Sequence, residues 1–151
     1  MKKILVINGP NLNFLGIRET NIYGTDNYEG LCNFIKEKFK NQNVLIEIKQ
    51  SNYEGEIIDF LQKAYFEKVD GIVINPGAYT HYSYAIFDAI KSVMIPTVEV
   101  HLSDIHSREE FRKISVTASA CVTQIYGKGK IGYIEAIKIL MEEVKNNGRK
   151  I

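Results

Sequence analysis

Short apolar runs that close on polar, turn-forming residues, alternating with stretches of helical period, constrain this chain more than any other feature. The runs lie at residues 4–7, 44–49, 72–74, 97–100 and 118–126. Ile4 to Ile7 and Ile72 to Ile74 are unbroken apolar stretches, the pattern of strands buried on both faces. Val44, Ile46 and Ile48 alternate instead, as a strand with one wetter face does. Between the runs, apolar residues recur every three or four positions. Leu31, Phe34, Ile35 and Phe39 form one such stripe, entered through Asp26 as cap with Glu29 three residues on. Ile57, Ile58, Leu61 and Tyr65 form the next, opened by Ser51 or Asn52. A third helix is expected over about 82–93, with Ile86, Ala89, Ile90 and Val93 on one face. A short helix should start near Ser107, and a last one carries Ile131, Ile134, Ile137, Met141 and Val144. Strands alternating with helices make an α/β domain whose parallel sheet is covered on both faces. A five-stranded doubly wound, flavodoxin-like sheet of order 2-1-3-4-5 is the natural arrangement.

Composition narrows what such a domain can do. At 151 residues the chain is expected to be a single domain able to bury a core unaided. A net charge of +1 offers no field for nucleic acid or an anionic membrane, so neither is expected as a partner. No apolar run approaches the roughly 20 residues a membrane span needs, and residues 1–3 pass straight into a strand without a secretory cleavage pattern. Two distant cysteines, Cys32 and Cys121, lack metal-ligand spacing and read as free thiols of a cytoplasmic protein.

In an open α/β sheet, ligands bind beyond the carboxyl ends of the strands. Three polar clusters fall at such ends: 8–11 (NGPN), 75–81 (NPGAYTH) and 101–104 (HLSD). The opposite edge carries short, chemically plain turns, and that asymmetry places the site. Singly these residues mean little. Asn8 and Asn11 could serve only a turn, His101 could be a satisfied buried histidine, and His81 and His106 could be caps. Arg108 and Arg112, four apart, could be a solvated pair with Glu109 and Glu110. Together, amides, imidazoles and guanidinium groups without paired carboxylates suit a small polyhydroxylated carboxylic acid.

The stretch of about a dozen residues that follows Asn11, as far as Gly24, adds a reactive group. It shows neither period, and its apolar residues argue against disorder, so it reads as a lid. It carries Tyr23 with Arg18 five residues before it. A neighbouring guanidinium favours phenolate, which makes a tyrosine usable as a general base near neutral pH.

Four motifs then coincide: NGPNLNFLG at 8–16, RETNIYG at 18–24, NPGAYTH at 75–81 and EVHLSDIHSREEFR at 99–112. In order and spacing they resemble the type II 3-dehydroquinate dehydratases, the type II dehydroquinases of the shikimate pathway of aromatic amino acid biosynthesis and of quinate breakdown. The resemblance runs from Ile4 to about Glu143. It implies the flavodoxin-like sheet and an enolate-forming trans elimination of water from 3-dehydroquinate to 3-dehydroshikimate, with no metal and no organic cofactor. By position, Tyr23 resembles the family's base at C2, Arg18 the residue sustaining its phenolate, and Asn11 the holder of a water against the enolate. His101 is similar to the acid that protonates the departing hydroxyl, with Glu99 orienting its imidazole. Asn75, Gly77, His81, Leu102, Ser103 and Arg112 match substrate-binding positions. Asp88 matches one that reaches the site from a neighbouring subunit, in a homo-dodecamer built as a tetramer of trimers.

Asp104 stands where asparagine is common in that family. Tyr82 and Phe87 replace a small residue and commonly an arginine, and Lys128 and Lys130 flank Gly129 where an apolar turn is usual. These changes bear on affinity and assembly and leave every catalytic position filled. The competing reading is a non-catalytic flavodoxin-like binding module. A flavin would call for a phosphate loop richer in Ser, Thr and Gly than 8–11, and a phospho-receiver would call for an acidic cluster there.

Overall fold

The structure is a computed structural model and describes residues 1–17 and 27–147, with side chains to residue 143. Five strands form a parallel sheet: β1 (Lys2–Asn8), β2 (Val44–Gln50), β3 (Gly71–Asn75), β4 (Thr97–His101) and β5 (Thr123–Tyr126). Their spatial order is β2-β1-β3-β4-β5, as the alternation of runs and stripes requires. Among the described residues four α-helices cover it: α1 (Tyr28–Phe39), α2 (Glu54–Phe66), α3 (Tyr84–Val93) and α4 (Ile131–Asn147). No helix among the described residues is long and apolar enough to cross a membrane.

The period-2 geometry of the strands divides the core in two. Ile4 and Val6 of β1 face one side with Val73, Val98 and Val100, and α1 and α4 bury Leu31, Ile35, Ile137 and Leu140 against them. Leu5 and Ile7 face the other side with Ile72 and Ile74, under Ile57 and Leu61 of α2 and Ile86 and Ile90 of α3. Every residue of β3 and β4 is buried, which is why those strands read as continuous runs. At the edge, β2 leaves Leu45 53% exposed and alternates accordingly.

Several element boundaries differ from the sequence reading, each for a local reason. The cap of α1 is Asn27, whose Oδ1 accepts the Gly30 amide at 2.7 Å; Asp26 lies outside the described residues. Helix α2 begins at Glu54 after a Tyr53 cap, because Ser51 Oγ takes the Tyr53 amide and Asn52 bonds elsewhere. Its inward stripe ends on Ala64, and Tyr65 is 51% exposed. Helix α3 starts only at Tyr84, capped by Ser83 Oγ on the Ile86 amide at 3.0 Å, and Gly77–His81 forms a 3-10 turn before it. The expected helix after Ser107 is two separate 3-10 turns, Ile105–Ser107 and Glu110–Arg112, since so short a segment has no apolar stripe to bury. The fifth strand is only Thr123–Tyr126. Ser115 and Thr117 give their hydroxyls to Glu99 and Ser115 Oγ takes the Ala118 amide, which draws the chain into a 3-10 turn at Ala118–Ala120. In α4, Ile131 is 55% exposed and Tyr133 is fully buried in its stead; the side chain of Val144 lies outside the described set.

Candidate active site

Strand register builds the floor of the site. Asn8 at the end of β1 pairs with Gln50 on β2 and with Asn75 on β3, so three amide side chains stand abreast at one sheet edge. The loops that follow then close on one another. The Gly9 amide donates to Asn75 O at 2.7 Å, and a Cβ on Gly9 would lie 2.5 Å from Pro76 O. Only glycine permits that approach. Above it lies a cavity of about 230 Å³.

Of the residues expected to bind or act, Asn11, Asn75, Gly77, His81, Leu102 and Arg112 line this cavity. His101, Ser103 and Glu99 are not on its wall, although His101 directly precedes Leu102, and His101 itself is only 5% exposed. Asp88 is exposed on α3 and apart from it. Arg18 and Tyr23 lie outside the described residues. Arg108, which sequence reasoning leaves as a surface partner of Glu109 and Glu110, also lines the cavity.

The electrostatic centre is Glu99, fully buried in the middle of β4. Its Oε2 accepts from His101 Nε2 at 2.9 Å, Ser115 Oγ at 2.8 Å and Gln124 Nε2 at 2.7 Å, and its Oε1 accepts from Thr117 Oγ1. Gln124 is the register partner of Glu99 on β5, so sheet pairing itself delivers one donor. Burial would push this carboxyl up, but the hydrogen bond and charge of His101, with those from Thr117 and Gln124, outweigh it and hold it at about 2. An ionised carboxylate only accepts, so Nε2 of His101 carries a proton and Nδ1 is left for chemistry. His81 is fixed in the opposite sense: Nδ1 donates to Ile114 O at 2.7 Å.

Because the Glu99 pKa is lowered on folding, its contribution to stability is complete above about 4.5, its ordinary value, and disappears as pH falls toward about 2. That contribution is on the order of 3 kcal/mol. Thermal melts across this acid window should fall more steeply for the native chain than for Glu99→Gln, which has no proton to take up there. Parallel acid slopes for the two proteins would contradict the assignment.

Asn75 is held at both ends, accepting from the Gly77 amide at 3.1 Å and donating to the Tyr133 hydroxyl at 2.9 Å. Tyr133 OH donates onward to Asn8 Oδ1 at 2.6 Å, and Asn8 Nδ2 donates to Tyr28 OH at 3.3 Å. Burial pushes both phenols above the usual tyrosine range, so they serve as hydrogen-bonding groups and cannot act as bases at neutral pH. The loop 102–104 is steadied from β5: Gly127 N donates to Ser103 O and Gly129 N to Leu102 O, each at 3.1 Å. Gly127 does so at φ +74, a conformation that favours glycine.

The Arg112 guanidinium stacks on Phe111, 5.0 Å from the ring centroid. Its Nε lies 3.1 Å from Glu109 Oε2, within ion-pair range but off the line of a hydrogen bond, so this buried N–H has no hydrogen-bond partner. A cavity wall that carries the two arginines Arg108 and Arg112 suits an anion. Among the described residues no group of three or more His, Cys, Asp or Glu side chains is arranged to hold a metal.

Residues 2–141 match the family model described as dehydroquinase class II. The chain belongs to that family. A 3-dehydroquinate dehydratase of Clostridium acetobutylicum is 66% identical over 138 residues, covering 91% of this chain and 95% of the relative. Its counterpart from Fusobacterium nucleatum is 61% identical over 142 residues, covering 93% and 97%. The crystal structure of a type II dehydroquinase from Butyrivibrio crossotus superposes with a TM-score of 0.90 at 64% identity, covering 92% of this chain and 97% of that one. The enzyme from Propionibacterium acnes gives 0.87 at 37% identity, covering 93% and 97%. The dehydroquinase fold thus persists where most side chains differ.

Sequence reasoning missed Ser115, Thr117, Gln124, Tyr133 and Arg108. A trace of each was present. Gln124 interrupts an apolar strand, Ser115 and Thr117 alternate as small hydroxyls, and Tyr133 shares the helical period of Ile137 and Leu140.

Proposed function

We propose that this dehydroquinase removes water from 3-dehydroquinate to give 3-dehydroshikimate. The observation that carries the reading is the buried, ionised Glu99, which holds Nε2–H of His101 and offsets the charge of a second proton on Nδ1, at the residue next in sequence to Leu102 of the cavity wall. Tyr23, as phenolate sustained by Arg18, takes the proton from C2; the C–H pair becomes the C2–C3 double bond and the carbonyl π pair moves onto the C3 oxygen. The enolate is met by a water that Asn11 holds. As the carbonyl re-forms, the C2–C3 π pair becomes the C1–C2 double bond. The C1 hydroxyl leaves as water with the Nδ1 proton of the His101 imidazolium, whose Nε2–H stays on Glu99. Arg112 and the backbone at Gly77, Leu102 and Ser103 hold the carboxylate and hydroxyls with Asn75 and His81. Arg108 and Arg112 on the cavity wall support a negatively charged substrate.

Asp88 completes the site of a neighbouring subunit in a homo-dodecamer. Its exposure on α3, and that of Phe66 (77%) and Tyr84 (70%), supports burial against further copies. The free thiols Cys32 and Cys121 support a reducing, cytoplasmic setting. The deciding experiment adds 3-dehydroquinate to purified, folded protein and follows the conjugated enone by absorbance. Steady growth of the band is expected, and a flat trace would end the proposal.

A further inference from the structure

The loop after β2 supplies no group to the reaction, yet three hydrogen bonds meet there at Asn52. Its Oδ1 accepts from the Asn11 amide at 3.0 Å and from Gln50 Nε2 at 3.1 Å. Its carbonyl accepts from the Tyr79 hydroxyl at 2.9 Å. The exposed Asn52 side chain therefore ties the loop after β1 to the end of β2, while its backbone carbonyl holds the turn after β3, and the residue does not line the cavity itself.

What it holds is unusual. Asn11 sits at φ 70, ψ −4, in the left-handed region that asparagine enters more readily than other non-glycine residues but still less readily than ordinary backbone angles. The Asn11 carbonyl accepts from the Phe14 amide at 2.9 Å, and its own amide, outside the sheet ladder, is satisfied by Asn52. Gln50 grips the same loop from below through Gly9 O at 3.2 Å and Asn13 Oδ1 at 3.3 Å. Without the Asn52 acceptor the loop can relax toward ordinary backbone angles, and that would swing the Asn11 side chain off the cavity.

We propose that Asn52 is a positioning residue for the elimination, acting only through Asn11. The proposal rests on the reading of Asn11 as holder of the enolate's water. That water stabilises charge that develops after binding, so loosening Asn11 should lower kcat and leave substrate binding nearly intact. The chemical requirement at position 52 is an acceptor, which aspartate supplies and alanine does not.

The test is steady-state kinetics on the full chain bearing Asn52→Ala, Asn52→Asp, Asn11→Ala, or both alanines. Asn52→Ala should lower kcat roughly ten- to thirtyfold, the scale of one backbone-holding hydrogen bond, with KM and the pH profile little changed. Asn52→Asp should restore kcat to within about threefold, and the double variant should be no slower than Asn11→Ala alone. Asn52 is exposed, so these variants should fold, and matched melting curves would show it. Wild-type kcat in Asn52→Ala beside an impaired Asn11→Ala would overturn the proposal, as would a loss confined to KM or additive losses in the double variant. Wild-type turnover by Asn11→Ala would instead remove the role given to Asn11, and the proposal with it.

Discussion

Replacing Tyr23 by phenylalanine should cut kcat by roughly 10³- to 10⁴-fold, the upper range for a general base, while the melting temperature stays put. The substitution removes one oxygen and keeps the ring, so whatever the ring packs against is preserved. Neither phenol held at the strand ends can stand in. Tyr28 and Tyr133 are the tyrosines hydrogen-bonded to the amides of the strand ends, and burial raises both, so neither offers a phenolate at neutral pH. Asn8 and Asn75 engage their hydroxyls as well. Turnover is read from enone absorbance and folding from a thermal melt. A variant within about tenfold of the native rate would strip Tyr23 of the role.

His101→Ala should be nearly as severe in rate and costlier in stability. Loss of the acid leaves hydroxide as the leaving group, an expected loss of roughly 10²- to 10⁴-fold in kcat. It also takes from the buried Glu99 the donor whose hydrogen bond and charge do most to keep it ionised. A charge-assisted hydrogen bond of this kind contributes about 1.5–3 kcal/mol, so a lower melting temperature should accompany the kinetic loss. The limb of the pH–rate profile that reports a protonated acid should vanish with it. If that limb persisted at reduced height, His101 would be structural and the acid would have to be sought elsewhere.

The two variants differ in how legible their sites were beforehand. Tyr23 and Arg18 sit in a stretch whose lack of period and whose residue types already mark it. By local pattern Glu99 is one more residue of the run at 97–100 and only the family resemblance marks it, since nothing local distinguishes a buried carboxylate in VEV from an exposed one. Its significance comes from Ser115, Thr117 and Gln124, which lie 16 to 25 positions away and converge only through sheet pairing and a 3-10 turn. The misplaced fifth strand has the same origin. Residues 118–126 read as extended until the hydroxyls upstream are seen to be spent on Glu99. Arg108 passed for a surface charge because ion pairing along a helix was the nearest local explanation, and the segment forms no such helix.

Order of elements, parallel pairing, the active edge of the sheet and the chemical types gathered there were set by the amino-acid sequence itself. Periodicity and turn chemistry act over a few residues, so a linear reading recovers them. Tertiary structure alone decided that Glu99 is fully buried and ionised, that Tyr133 braces Asn75, and that Asn52 seats Asn11 in a left-handed turn. Each depends on hydrogen bonding between groups remote in the chain, strengthened for Glu99 and Tyr133 by desolvation, and those contacts exist only once the strands have brought the groups together.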